Sequence, residues 1–145
     1  MLLDVDHKII SKILAQRLHE KLGQWLGQDQ RGFVKGRQIQ EGTIWVQAVI
    51  ESMREASLEG SLVFLDQGNA YDRVKWGYLR AVLERVGMSR EMSKEMIRWM
   101  ASVSASILVN GWQGEEFWND GGVLQGDPLA PLLYVLIMEP VINKL

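Results

Sequence analysis

Cysteine is absent from the 145 residues, which excludes disulfides and thiolate metal sites and says little about compartment. Long apolar runs are absent as well. The longest uncharged one, LLYVLIM at residues 132–138, falls far short of the roughly 20 residues that cross a bilayer, so no membrane role is expected. The opening MLLDVDHKII brings in acidic residues at once and has neither an apolar h-region nor a cleavage site. Nothing in it suggests secretion, and an intracellular protein is expected. There is no large charge of one sign: the net charge is -2. A free-standing nucleic-acid binder normally carries a basic footprint, so any such role must rest on local patches or on parts outside this chain. Internal repeats, low-complexity tracts and linkers are missing too.

What is present is a chain that is 47% hydrophobic and 23% charged, enough for one ordinary domain with a real core. Its six tryptophans suit core or interface anchoring as readily as base stacking. Ile9, Ile10, Ile13, Leu14 and Leu18 follow helical spacing behind an Asp that can cap them. Residues 27–38, GQDQRGFVKGRQ, are glycine-punctuated and locally basic and read as a loop. Val46, Val49, Ile50 and Met53 give a second helix, ended by EASLEG. Residues 62–65, with no alternation, predict a short, fully buried strand. Leu79, Val82, Leu83 and Val86 predict a third helix closed by Gly87, and Ser89 a cap for a fourth carrying Met92, Met96, Trp99, Met100 and Val103 on one face. Asn110-Gly111 between apolar-rich arms is a hairpin signal, and residues 119–122, NDGG, a further turn. A last helix follows Pro128, and Pro140 should kink or end it. The order is α+β, helix-rich, with a short buried strand and a β-hairpin. That is thin on strands for a finished sheet and suggests part of a larger fold.

The stretch SLVFLDQGNAYDRV, residues 61–74, drives an apolar run into Asp66. A carboxylate at the rim of a sheet suits a Mg²⁺ ligand, because that ion takes one or two carboxylates with water and phosphate oxygens. It suits a helix N-cap equally. Gly68 stands where a haloacid dehalogenase-type phosphotransferase needs a second Asp, which argues against that class.

FLDQGNAYDRV resembles motif A of reverse transcriptases, specifically the non-LTR retrotransposon (LINE-type) branch. GGVLQGDPLAPLLYVL, residues 121–136, resembles motif B. DQRGFVKGRQI, residues 29–39, resembles a finger-region element, and DHKIISKILAQRL, residues 6–18, the helix before it. ILVNG, residues 107–111, resembles the hairpin ahead of motif B. The blocks keep the family's order and span essentially the whole chain. The resemblance implies a partial reverse transcriptase domain over residues 1–145, the fingers and palm of a right-hand polymerase up to motif B. The complete member would copy an RNA template onto a DNA primer from dNTPs by two-metal nucleotidyl transfer with Mg²⁺. By position, Asp66 matches the catalytic metal ligand, and the Leu65 carbonyl would add to it. Tyr71 matches the aromatic gate under the incoming sugar, against the plainer reading of a core aromatic. Gln125 and Gly126 match the pair beside the template and nucleotide, where plain turn chemistry is the alternative. Arg31, Lys35 and Arg37 would meet template or primer phosphates, or form a solvated basic loop.

The sequence also departs from the family. No Asp-Asp pair exists in it, so motif C and two of the three carboxylates that the two metals need are missing. The R-P-I-S element and the thumb are missing as well. Asn69 stands for the usual Lys, Leu124 for Arg, Asp127 for Cys and Ala130 for Ser. Such losses weaken anion binding and resemble drift. The expectation is a chain inactive alone. The alternative is a non-catalytic relic or a repurposed nucleic-acid or protein-binding module, with a generic helical interaction domain ranked last.

Overall fold

The computed structural model describes residues 3–143. Its elements run α1 (Val5–Trp25), α2 (Ile39–Glu55), α3 (Trp76–Arg85), α4 (Arg90–Ala101), β1 (Ser104–Val109), β2 (Trp112–Trp118) and α5 (Ala130–Ile142). The arrangement is α+β, with the expected hairpin. Asn110 and Gly111 take φ of 50° and 83°, the two left-handed residues of a type I′ turn, and Val109 faces Trp112 across it. Ser89 caps α4 as expected, its side chain accepting from the Met92 amide at 3.2 Å. Gly87, at φ 98°, closes the turn after α3.

The core lies where α5 meets α1 and α3, and α3 meets α4. Leu22, Leu79, Leu83, Leu129, Leu133 and Leu136 are its largest fully buried apolar side chains. Two buried carboxylates fasten α1 to the α5 region. Near the start of α1, Ser11 Oγ donates to Asp127 Oδ2 at 3.1 Å, with His7 Nε2 2.9 Å from the same oxygen. Just past its end, the Gly27 amide donates to Glu139 Oε1 at 2.6 Å. The early part of α1 thus meets the residues before α5, and its exit meets the late part of α5, so the two helices run in the same direction.

Three expectations are corrected, and a fourth in part. Residues 62–65 are not a buried strand: they form no regular element and are open, Phe64 82% and Leu65 76% exposed. A strand needs a ladder partner, and the sheet among the described residues is the β1–β2 hairpin alone. Leu62 instead lines a cleft with Trp45, Val49 and Met53 of α2. The helix at residues 5–25 is present, but Ile9, Ile10 and Ile13 face outward, and Ser11, Ala15, Leu18 and Leu22 are buried. The side that α5 and Asp127 reach decides the buried face, and it includes a serine because that serine has a buried partner. The Asp ahead of α1 makes no side-chain cap bond. Of the expected kink or end at Pro140, the end is not found: α5 runs on to Ile142. So near the terminus the proline ring removes only the bond to the Leu136 carbonyl. On the next residue, the Tyr78 hydroxyl donates to the Ile137 carbonyl at 3.2 Å.

Candidate functional site

Residues 68–73 fold as consecutive turns. Asn69 sits at φ 53°, and its carbonyl accepts from the Arg73 amide at 3.1 Å. Asparagine tolerates this left-handed conformation better than most side chains, which gives a structural reason for Asn where the motif usually has Lys. The turns bring Tyr71 and Val74 against residues 121–125. The Gly122 amide donates to Val74 O at 2.9 Å and the Val123 amide to Tyr71 O at 3.0 Å. The Trp76 indole donates to Gly122 O at 2.7 Å. Gly122 has φ 77°, and a Cβ there would stand 3.0 Å from Tyr71 O and 3.1 Å from Asp72 Cα. Only glycine permits that approach. Beside the seam lies a cavity of about 230 Å³ lined by Asp72, Asn119, Leu124 and Gln125 among others. Gln125 and Gly126 are exposed, Gly126 at φ 89°.

Asp66 is exposed and makes no side-chain hydrogen bond or ion pair among the described residues. The next helix, α3, starts at Trp76 with Lys75 at its cap position. The N-cap reading of Asp66 is therefore removed. Its neighbour Gln67 accepts from the Tyr134 hydroxyl of α5 at 2.8 Å, and the Tyr134 ring lies 5.2 Å from that of Tyr71 at 46°. Burial raises the pKa of both tyrosines. For Tyr134, repulsion from Tyr71 once that phenol ionises, and then from Asp66, raises it further. Gln67, Tyr71 and Tyr134 therefore form one cluster, with Asp66 next to Gln67 in the chain and the seam at its side. Tyr134 went unread as a site residue. The available signal was a hydroxyl within the apolar LLYVLIM run, where a buried-face tyrosine needs a partner. Leu65 stands exposed next to Asp66. Among the described residues no group of three or more His, Cys, Asp or Glu is placed to hold a metal ion.

The basic residues gather in a groove of about 640 Å³ between α1, residues 31–40 and the start of α5. Lys12, His19, Arg31, Lys35 and Arg37 line it together with Phe33, and no carboxylate is among its lining residues. The three expected phosphate contacts are not equivalent. Arg37 donates to the carbonyls of Gly27, Gln30 (2.6 Å) and Leu26 (3.3 Å), so it clasps its own loop. Arg31 pairs with Glu41. Lys35 is exposed and has no side-chain partner among the described residues. Phe33 is also exposed, held at φ 57°.

The profile of the family "Reverse transcriptase (RNA-dependent DNA polymerase)" matches residues 1–145. The Transposon TX1 uncharacterized 149 kDa protein of Xenopus laevis is 30% identical over 139 residues, covering 96% of this chain and 11% of that protein. A retrovirus-related Pol polyprotein from the type-1 retrotransposable element R2 of Nasonia vitripennis is 31% identical over 135 residues, covering 92% and 13%. The corresponding polyprotein from the type-2 element R2DM of Drosophila melanogaster is 26% identical over 136 residues, covering 94% and 13%. This chain spans only 11–13% of the length of these three relatives. These matches bear out the resemblance read from motifs A and B, and the chain belongs to the reverse transcriptase family.

Proposed function

We propose that residues 1–145 are the fingers-palm part of a right-hand polymerase that adds deoxynucleotides to a DNA primer on an RNA template. The observation that supports this reading is the backbone seam between residues 71–74 and 122–123, which sets the stretch resembling motif A beside the stretch resembling motif B, with Gln125 lining the cavity next to it. In this reading Asp66 is one carboxylate of a two-Mg²⁺ site and the Leu65 carbonyl lies beside it. The ring of Tyr71, backed by Tyr134, lies under the incoming sugar and excludes a 2′-hydroxyl. Gln125 and Gly126 face the template-nucleotide pair. The groove beside Lys35 receives nucleic-acid phosphates, and Arg37 shapes its loop. With one of three carboxylates in its sequence, the chain by itself should extend no primer.

The test is primer extension on an RNA template by a longer polymerase that contains this segment and a motif C. Asp66→Asn keeps the shape and removes the charge that Mg²⁺ requires, so extension should fall to background while the melting temperature holds. Extension at wild-type rate in Asp66→Asn would reject the reading.

A further inference from the structure

We infer that Asp127 is a positioning residue for the turn carrying Gln125 and Gly126, acting through a buried clasp to the start of α1. The functional consequence rests on the reading of Gln125 and Gly126 given above; the clasp itself rests on contacts alone.

Residues 124–126 form a short, partly open turn with a left-handed glycine at its tip. One side of it is fastened by the Gly122 and Val123 amides to Val74 and Tyr71. The other side begins at Asp127, which is only 6% exposed. Both carboxylate oxygens are engaged. Oδ2 accepts from Ser11 Oγ at 3.1 Å and lies 2.9 Å from His7 Nε2, and Oδ1 accepts from the Leu129 amide at 2.8 Å. Its backbone is engaged too: its amide donates to Leu124 O and its carbonyl accepts from the Ala130 amide, both at 3.1 Å. A carboxylate only accepts, so His7 Nε2 carries the hydrogen. The imidazole is stacked on Trp99 of α4, with centroids 4.8 Å apart and planes at 11°. The ring is thus held by its face and its edge.

A buried carboxylate is costly unless it is paired and hydrogen-bonded. No Lys or Arg pairs with Asp127 among the described residues. Its compensation comes from His7, two further donors and the start of α5, where the helix dipole favours negative charge. Asparagine would place an amide where one of the acceptors stands and would lose this arrangement at constant volume. The substitution of Asp for Cys at this position therefore has a built partner in His7 and Ser11. Three residues, 124–126, are left spanning two anchors, which fixes where Gln125 can project.

The experiment is backbone ¹⁵N relaxation on the whole 145-residue chain. In the wild type, order parameters at Gln125 and Gly126 should be near the rigid value of about 0.85. Asp127→Asn should lower them below about 0.6 at those residues, with Leu83 and Met96 unchanged. His7→Phe keeps a ring for Trp99 and deletes the donor, so it should do the same. Ser11→Ala, which deletes one bond, should give a smaller fall at the same places, and it carries the test if Asp127→Asn does not fold. A wild-type turn that is already mobile, unchanged values in the variants, or a loss spread evenly over the chain would overturn the proposal. No nucleotide enters this measurement, so its failure leaves the polymerase reading standing, and failure of primer extension leaves the clasp standing.

Discussion

Two contrasts at the candidate site separate function from support. Tyr71 meets Tyr134 through its ring, and its hydroxyl makes no hydrogen bond among the described residues. If the ring bars a 2′-hydroxyl, Tyr71→Ala in an active polymerase should raise the ribonucleotide to deoxyribonucleotide ratio of kcat/KM by about 1–3 kcal/mol in discrimination, while Tyr71→Phe changes it little. A ratio constant across Tyr, Phe and Ala would reject the gate and leave Tyr71 as packing. Arg37 and Lys35 give the second contrast. Arg37→Ala strands three carbonyls and should cost about 1–3 kcal/mol of stability, read by denaturant unfolding. Lys35→Ala should leave stability alone, weaken binding of a labelled single-stranded RNA, and lower the salt slope by about 1. A normally stable Arg37→Ala that binds more weakly than Lys35→Ala would exchange these roles.

Between elements, one carboxylate joins α3 to α4. Glu84 accepts from Arg80 at 2.8 Å within α3, from Ser93 of α4 at 3.1 Å, and lies near Arg90. The Arg80 hydrogen bond is the first of the causes that hold its pKa below the ordinary glutamate range. A group depressed in the folded state stabilises above its unfolded pKa and loses that contribution as pH falls through its folded pKa. The wild-type melting temperature should therefore drop more steeply than that of Glu84→Gln between about pH 5 and pH 3. Parallel slopes in pH-dependent melts would exclude a role for this link. The same scale shows what the sequence discloses. The Asn110-Gly111 hairpin, the Ser89 cap and the Gly87 stop were legible because each is decided within a few residues. The outward face of α1 and the openness of residues 62–65 were not, because burial depends on which partner arrives. Motif spacing singled out Asp66 and Tyr71 as candidates, whereas Tyr134 and the His7–Asp127 pair depend on contacts 67 and 120 residues apart in sequence.

In the whole molecule, α2 buries no residue fully, and the hairpin's second strand is exposed throughout. Cohesion therefore rests on α1, α3, α4 and α5. The same-direction pairing of α1 and α5 then sets an order of events. Helices that run side by side in one direction cannot be joined by a tight turn, and here the whole middle of the chain lies between them. Partners at residues 7 and 127 must wait for each other. At about 5–20 residues per second of synthesis, α1 spends on the order of ten seconds with Leu18 and Leu22 uncovered before α5 is made. Closing such long loops also slows folding. Removing residues 127–143 should therefore leave a chain with helical circular dichroism but no cooperative melt; a sharp two-state transition in that shortened chain would show that the core does not need α5. Within this segment α1 is therefore made long before it is secured, and over that interval its apolar side is open to a chaperone.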